Sequence, residues 1–431
     1  FIILLGAGTF LFTKNVRKII RNINLGRDLK INDNKAERWR IMLRVAFGQS
    51  KMMVRPVPGI LHFFVYAGFI IINIEVLEII IDGIFGTHRV FAFAGSLYNF
   101  LIGSFEILAF LVLSGCLIFL IRRNILRLSR LNKPELNGWP RTDANLILIT
   151  EILLMSAFLK MNAIDSILQE QHYGHYIQAG AFPVSSFLRP LFAGYSNENL
   201  AMFERILWWF HIAGIMAFLN YLPYSKHFHI LLAFPNTWYS KLTPKGQFTN
   251  NEAVTNEVKL MLDPTAVPPA TDANAAPLRF GACDVKDLTW KQLMDAYTCT
   301  ECGRCTSVCP ANITGKKLSP RKIMMDTRDR LEEVGRNIDK HGDSYSDNKT
   351  LLTDYISPEE IWACTTCNAC TEACPVNIDP LSIIVDLRRY VVMEQSAAPA
   401  ELNGMFSKIE NNQAPWQFSP ADRLLWANDD K

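Results

Sequence analysis

Two short stretches of the chain hold eight of its ten cysteines. They read CTECGRCTSVCP at 299–310 and CTTCNACTEACP at 364–375. Each has the spacing C-x2-C-x2-C-x3-C-P, in which three cysteines hold one [4Fe-4S] cluster and the fourth binds the other cluster. Cysteines this close together suit a metal centre better than disulfides. A zinc site needs only four thiolates, so the repeated third cysteine and proline argue against zinc.

This spacing assigns four cysteines to each of two [4Fe-4S] clusters. The first cluster is predicted to use Cys299, Cys302, Cys305 and Cys374. The second cluster is predicted to use Cys364, Cys367, Cys370 and Cys309. The repeat continues beyond the cysteines, because SPRKIMMDTRDR at 319–330 matches DPLSIIVDLRRY at 379–390, each with proline after a capping residue. Residues 281–395 are therefore predicted to form a helical, ferredoxin-like domain with two clusters.

The first half of the chain is apolar and has the pattern of a membrane protein. Five apolar segments occur there, and the last four have roughly the 20 residues that a spanning helix needs. The five are 1–13, 57–82, 97–121, 144–168 and 202–224. The loops 14–55 and 122–141 are rich in Lys and Arg, which the positive-inside rule assigns to the cytoplasm.

Five crossings then put the N-terminus outside and the cysteine-rich half in the cytoplasm. Thiolates that bind metal stay reduced in that compartment. The sequence begins at Phe1 within an apolar run. We therefore expect further residues before it, and we do not interpret the run as a signal peptide.

Four histidines of this half are candidate haem ligands. An imidazole that faces the interior of a helix bundle is a natural axial ligand for haem iron. His62 and His229 are both expected near the cytoplasmic face, so they can bind one haem b. His211 precedes His229 by 18 residues, roughly 27 Å along a continuous helix, and is a candidate for a second haem or a quinone site. His227 is an alternative ligand, and a hydrogen bond to a neighbouring helix is the alternative for His62.

The run HIAGIMAFLNYLPYSKHFH at 211–229 resembles the last transmembrane helix of the cytochrome b subunit of respiratory nitrate reductases. That resemblance implies a five-helix bundle over residues 1–235, with His211 and His229 at the ligand positions of the last helix. His62 matches the more cytoplasmic ligand of the family's second helix. The other ligand of that helix would fall near Ile72, where this chain has no histidine. The resemblance therefore implies one haem b and leaves a second haem without a matching ligand.

The cluster half resembles the iron–sulfur subunits of heterodisulfide reductase and of an anaerobic glycerol-3-phosphate dehydrogenase. The long insertion between the cysteine motifs and the tail NNQAPWQFSPADRLLWAND carry this likeness. With its membrane half, the chain is similar to membrane-bound iron–sulfur oxidoreductases that link electron-transferring flavoprotein to menaquinone. The resemblance implies a quinone-linked oxidoreductase subunit of a respiratory chain in the bacterial inner membrane, with quinone as its substrate.

Two further segments complete the predicted organisation. Residues 236–280 include the Pro/Ala-rich passage DPTAVPPATDANAAP and are predicted to be an extended linker. Residues 396–431 are predicted to be a docking tail with Pro415, Trp416 and Trp426 as apolar anchors. In fused relatives a similar tail leads into cysteine-rich CCG domains. We therefore expect a separate cytoplasmic CCG-domain iron–sulfur subunit and, through it, electron-transferring flavoprotein as partners.

The chain is thus predicted to be mainly α, with a five-helix transmembrane cytochrome b bundle followed by a cytoplasmic helical dicluster domain. Its predicted role is electron transfer between a cytoplasmic donor and the quinone pool through two [4Fe-4S] clusters and haem b. One alternative is a membrane subunit of a heterodisulfide or sulfur-compound reductase complex. An alternative of another class is a transporter or sensor with a redox module. The net charge of +3 gives no indication of nucleic-acid binding.

Overall fold

The computed structural model describes residues 1–244, 246–267 and 279–427. Every regular element within these ranges is helical, and they contain no β-strand. The prediction of a mainly α fold is therefore confirmed. The α-helices are α1 (Ile2–Ile23), α2 (Lys35–Met42), α3 (Pro56–Phe85), α4 (Ser96–Leu120), α5 (Trp139–Glu170), α6 (Asn197–Tyr221), α7 (His229–Trp238), α8 (Glu252–Leu262), α9 (Trp290–Thr298), α10 (Arg304–Ser307), α11 (Pro310–Ile313), α12 (Pro320–His341), α13 (Leu351–Asp354), α14 (Pro358–Trp362), α15 (Ala369–Ala373), α16 (Pro380–Arg389) and α17 (Ala400–Asn412).

Four of these helices, α3 to α6, are long and apolar enough to cross a membrane. They contain the last four predicted apolar segments, and each packs against the next along the chain. Helix α3 starts with Pro56, whose fixed φ suits the first turn of a helix. It ends at Gly86, which adopts the left-handed conformation with φ 70°. We call the end of this bundle that contacts the cysteine-rich half the near end, and the opposite end the distal end.

Helix α1 connects the bundle with the cysteine-rich half. Phe1 lies against Trp208 of α6, with ring centres 5.7 Å apart. Further along the helix, Lys18 pairs with Asp339 of α12 at 2.7 Å. The helix contains the first predicted segment, 1–13, but it is not among the four that have the length and composition of a membrane span. A fifth spanning helix therefore remains a prediction.

The last apolar segment does not continue to His229 as one helix. Helix α6 ends at Tyr221, and α7 begins at His229. Pro223 lies between them and lacks the N–H that would continue the helical hydrogen bonds. The residues between the two helices form two tight turns, so the spacing of a continuous helix does not apply between His211 and His229.

The cysteine-rich half is built from short helices that share an apolar core with the bundle. The cluster of buried side chains includes Leu293 of α9 and Ile323 of α12. It also includes Ile19 of α1 and Phe228, which lies between α6 and α7. Because these side chains pack in one continuous core, the two halves are held in a fixed arrangement at the near end.

Two parts of the predicted linker are helical. Residues 236–280 were expected to be extended, but helix α7 continues to Trp238 and helix α8 lies within the segment, so that expectation is wrong at 236–238 and 252–262. Asn251 starts this helix, because its side-chain oxygen accepts a hydrogen bond from the N–H of Val254 at 3.4 Å. Residues 268–278, which hold most of the Pro/Ala-rich passage, lie outside the described residues.

Arg330 of α12 holds the insertion that separates the two cysteine motifs against the segment that contains Asp284. Its guanidinium is 3% exposed and pairs with Asp284 at 2.9 Å and with Asp347 at 2.6 Å. The hydrogen bond from Arg330 lowers the pKa of Asp347 to about 2. A carboxylate with a lowered pKa stabilises the fold at neutral pH, and this contribution is lost only as the pH falls below the ordinary value of about 4 towards the lowered one.

We expect Arg330→Met to lower the melting temperature of the purified protein at pH 7 by roughly 5 °C or more, because it leaves carboxylates without their buried partner. Circular dichroism at increasing temperature would measure the shift. Arg336→Met is the matched control, since Arg336 is 62% exposed and its pair with Glu332 spans 3.7 Å. Equal melting of Arg330→Met and the wild type would contradict this role.

Candidate iron–sulfur and haem sites

Four cysteines from the two motifs surround one small cavity. Cys299, Cys302 and Cys305 come from the first motif, and Cys374 comes from the second. Gly303 has φ 72° and makes the left-handed turn between the second and third cysteines. The structure therefore brings together the four cysteines that were predicted to hold the first cluster.

The second motif repeats this backbone turn. Asn368 occupies the position that corresponds to Gly303 and has φ 59°, a conformation that asparagine tolerates better than most residues. Burial raises the pKa of Cys364, and the thiols of Cys309 and Cys367 raise it further. Cys309 of the first motif thus lies beside cysteines of the second, as the predicted exchange of the fourth ligand requires.

Four of these eight cysteines are buried, at a cost that metal binding would offset: Cys299, Cys309, Cys370 and Cys374. Burial raises the pKa of Cys299 to about 11 and the pKa values of Cys370 and Cys374 to about 12. Thiols with such pKa values carry their protons at neutral pH, whereas iron binds thiolates. Positive charge is therefore needed among these cysteines, and the irons of a [4Fe-4S] cluster would supply it.

Arginines surround the first cysteine set, and two of them, Arg130 and Arg321, come from outside the first motif. Arg130 donates a hydrogen bond to the carbonyl oxygen of Cys302 at 3.2 Å. Arg304 donates to the carbonyl oxygen of Lys51 at 2.8 Å. Arg321 has a fully buried side chain that also lines the cavity. Net charge and hydrogen bonding tune the reduction potential of such clusters, so we expect these arginines to influence it. The cysteine spacing alone could not reveal them.

Two of the candidate haem ligands face each other between α3 and α7. The ring centres of His62 and His229 are 6.4 Å apart. Roughly this separation is expected for two imidazoles on opposite sides of one metal atom, with each nitrogen bound at about 2 Å. The Nδ1 atom of His62 is buried and has no hydrogen-bond partner among the described residues. These two side chains therefore fit the predicted role of axial ligands.

The other two candidates lie in different surroundings. The ring of His227 is 5.6 Å from that of His229, so His227 stays an alternative ligand. His211 is buried against α5, where its Nδ1 atom lies 3.1 Å from the carbonyl oxygen of Leu154. Its ring lies 5.9 Å from that of Phe158. A second haem or a quinone at His211 remains a prediction.

Lys226 connects the histidine pair with the first cysteine motif. Its carbonyl oxygen lies 3.1 Å from Nδ1 of His229. An N–H at Nδ1 would donate to this oxygen and leave Nε2 free to bind a metal. The ammonium group of Lys226 forms an ion pair with Glu301, which lies between Cys299 and Cys302 in the sequence. One residue thus contacts both predicted cofactor sites. No sequence motif indicates this role, because the two contacts lie far apart along the chain.

We expect Lys226→Met to lower the midpoint potential of the first cluster by roughly 30–60 mV, because the positive charge paired with Glu301 is lost. The haem potential should change less, because methionine keeps the backbone carbonyl that faces His229. Redox titration followed by visible and electron paramagnetic resonance spectroscopy would measure both. Lys316→Met is the control, since Lys316 is exposed on the surface of the cluster domain. An unchanged cluster potential in Lys226→Met would contradict this role of its charge.

A family profile described as a 4Fe-4S dicluster domain matches residues 298–378. Over all of this chain, 28% of the aligned residues are identical to those of the probable iron-sulfur-binding oxidoreductase FadF of Bacillus subtilis. The EtfAB:quinone oxidoreductase of Syntrophomonas wolfei is 28% identical over 92% of the chain. One component of the dihydromethanophenazine:CoB–CoM heterodisulfide reductase of Methanosarcina acetivorans is 30% identical over 34% of the chain and 36% of that protein.

The chain is similar in sequence to iron–sulfur oxidoreductases such as the Bacillus and Syntrophomonas proteins. The resemblance to heterodisulfide-reductase-related proteins and the class of oxidoreductase subunit are therefore confirmed, and the dicluster profile supports iron–sulfur clusters. The chain spans 60% of the length of the Bacillus relative and 55% of the Syntrophomonas relative. No solved structure matches the chain.

Proposed function

We propose that this chain transfers electrons between a cytoplasmic donor and a membrane quinone through two [4Fe-4S] clusters and one haem b. In this proposal the clusters have the two cysteine sets described above as ligands, and His62 and His229 hold the haem. The proposed membrane is the inner membrane of a bacterium, with the N-terminus outside and the cluster domain in the cytoplasm.

The observation that carries this proposal is the connection between the two sites through Lys226. Lys226 reaches His229 through its carbonyl oxygen and Glu301 of the first cysteine motif through its ammonium group. The two sites also border one apolar core that excludes water. Clusters and haem, when bound, accept and donate single electrons. The side chains that surround them hold them in place and keep their surroundings dry, which favours electron transfer between them over loss to solvent.

The name of one relative suggests both the electron donor and the electron acceptor. The Syntrophomonas relative is named an EtfAB:quinone oxidoreductase, so we propose electron-transferring flavoprotein as the source of electrons and quinone as their destination. Components of two ferredoxin-dependent heterodisulfide reductases from Methanosarcina species match 25% of the chain. We propose that a CCG-type iron–sulfur module docks on the cluster domain and supplies it with electrons.

The tail is the proposed contact for that module. Trp416 is 50% exposed and Trp426 is 74% exposed, and exposed aromatic side chains of this kind are favoured at interfaces. We expect replacement of both tryptophans with serine to release the CCG-type module from the purified complex while haem and clusters stay in this chain. Co-purification on an affinity tag would measure the loss. Trp39→Ser is the control, since Trp39 is 54% exposed and lies outside the tail. Undiminished co-purification of the module would contradict the proposed contact.

A second candidate function is supported by the same relatives. The heterodisulfide reductase proteins that match part of the chain belong to enzymes that reduce a disulfide, as their names state. The chain would then be the membrane subunit of a heterodisulfide or sulfur-compound reductase complex. The two candidates share this chain's cofactors and differ in the partner that exchanges electrons with the clusters.

The proposal is tested by the cofactors and their reaction with a quinol. Protein purified from membranes without oxygen should contain about eight irons in two clusters and show the visible bands of low-spin haem b. Addition of menadiol, a soluble hydroquinone, should reduce the haem. Protein that lacks a b-type spectrum, or that holds haem which menadiol leaves oxidised, would contradict the proposal.

A further inference from the structure

A cavity of about 150 Å³ lies at the distal end of the bundle, away from the cluster domain. It is bounded by α3, α4 and the loop that joins them. Aromatic rings of Phe91, Tyr98 and Phe105 form much of its wall, and two carboxyl groups, Glu75 and Glu78, also line it. Such a mixture of flat apolar walls and a few polar groups is typical of sites for small organic ligands.

Glu75 is the residue that indicates a missing ligand. Its side chain is 4% exposed, and its Oε2 atom has no hydrogen-bond partner among the described residues. Nearly all buried polar atoms in proteins have such a partner, and carboxyl groups within a membrane are costly and usually functional. A hydrogen-bonding molecule within this cavity would supply the partner that Glu75 lacks.

Hydrogen bonds connect this cavity with the distal surface. Glu78 accepts from the hydroxyl of Tyr98 at 2.9 Å, and this hydroxyl accepts from Arg89 at 3.1 Å. Arg89 also binds Asp165 at 2.7 Å. The Nε2 atom of His88, in the loop after α3, lies 3.3 Å from the same aspartate.

Three carboxyl groups of α3 form a row that extends from the cavity towards the distal surface. Glu75, Glu78 and Asp82 follow one another at spacings of three and four residues, so they lie on one face of the helix. Asp82 is half-buried beside the distal loop, where it accepts a hydrogen bond from the N–H of Arg89 at 2.8 Å. Protons can therefore pass between the cavity and the distal aqueous side along titratable groups.

The cavity is also accessible from the side of the bundle. Ile74 and Phe93 line it and are 44% and 85% exposed. Ile74 lies on α3, and an exposed apolar side chain on a helix that spans a membrane faces lipid. Phe93 lies in the loop after this helix. A molecule dissolved in the bilayer can therefore enter between them, while a long apolar tail stays in the lipid.

We propose that this cavity binds the head group of a quinone, with Glu75 as its hydrogen-bond partner, and that Glu78 and Asp82 link it to the distal aqueous side. This inference rests on the proposed function, which supplies the electrons. The quinone gains two electrons and two protons, so that both carbonyl oxygens become hydroxyl groups. The protons come from the distal side through the carboxyl groups of α3, which are protonated again from the water there.

Binding of 2-heptyl-4-hydroxyquinoline N-oxide, a fluorescent compound with a quinone-like head group, tests the site. Titration of the purified protein in lipid nanodiscs would give its dissociation constant. Glu75→Gln is expected to weaken binding about tenfold, because an amide forms a weaker hydrogen bond to the ligand than a carboxyl group does. Glu151→Gln is the control, since Glu151 lies on α5 outside this cavity and should leave binding within about twofold of the wild type. Haem and cluster spectra should be unchanged in both variants.

Ile74→Trp provides an independent test if Glu75→Gln does not fold. The larger side chain at the opening should also weaken binding, with intact haem and clusters. Binding as tight as that of the wild type in both folded variants would overturn this site and leave the proposed function in place, since the quinone would bind elsewhere. Wild-type protein that holds haem and clusters but binds no probe and does not react with menadiol would overturn both.

Discussion

Replacement of Cys374 with alanine is expected to remove one [4Fe-4S] cluster and leave the other. Cys374 belongs to the second motif but lines the cavity formed by Cys299, Cys302 and Cys305. Its loss should therefore damage the cluster of the first motif, although the sequence distance suggests the second. Non-haem iron should fall from about eight to about four per chain. Electron paramagnetic resonance spectra would identify the cluster that remains.

The reciprocal change tests the exchange of ligands between motifs. Cys309→Ala should remove the cluster that Cys364, Cys367 and Cys370 hold and preserve the cluster lost in Cys374→Ala. Cys283→Ala is the matched control, since Cys283 lies outside both motifs and should keep both clusters. If each variant lost the cluster of its own motif instead, the predicted ligand sets would be wrong.

The second large effect is expected from His229→Ala. Its ring faces that of His62 at 6.4 Å, and an axial ligand lost from low-spin haem changes or abolishes its spectrum. We expect the low-spin b bands to disappear while both clusters stay intact. Reduced-minus-oxidised visible spectra would measure the haem, and iron–sulfur analysis would measure the clusters.

Two other histidines serve as comparisons. His227→Ala should keep the b bands if His229 is the ligand, and it should lose them if His227 takes that role. His211→Ala should also keep the haem between His62 and His229, since His211 is bonded to Leu154 on α5. Loss of the only haem in His211→Ala would contradict the predicted pairing.

The helices of the fold were easier to predict from the sequence than the contacts between distant residues. Apolar segments of about 20 residues predicted α3 to α6, because burial in lipid requires that length and composition. Repeated cysteine spacing predicted two similar motifs, and the structure shows left-handed conformations at the corresponding residues Gly303 and Asn368. Helix α8 was not predicted, because the Pro/Ala-rich passage nearby indicated an extended segment. The short helix begins directly after Asn251.

The contacts between distant residues were not predictable. Arg89 looks like an ordinary loop arginine in the sequence, yet its side chain is buried with Asp165 at the distal end. Lys226 and Glu301 are 75 residues apart in the chain and form an ion pair at the near end. Pairs of this kind depend on how helices pack, which periodicity and spacing within one segment do not encode.

The central claim is that electrons pass from the clusters through the haem to quinone within this chain. It is tested most directly by mixing reduced protein in vesicles with an excess of menaquinone and following haem and clusters by rapid-scan spectroscopy. In wild-type protein, the haem and both clusters should be oxidised together as the quinone is reduced. In His229→Ala the clusters should stay reduced far longer. Equally fast oxidation of the clusters in that variant would contradict the claim.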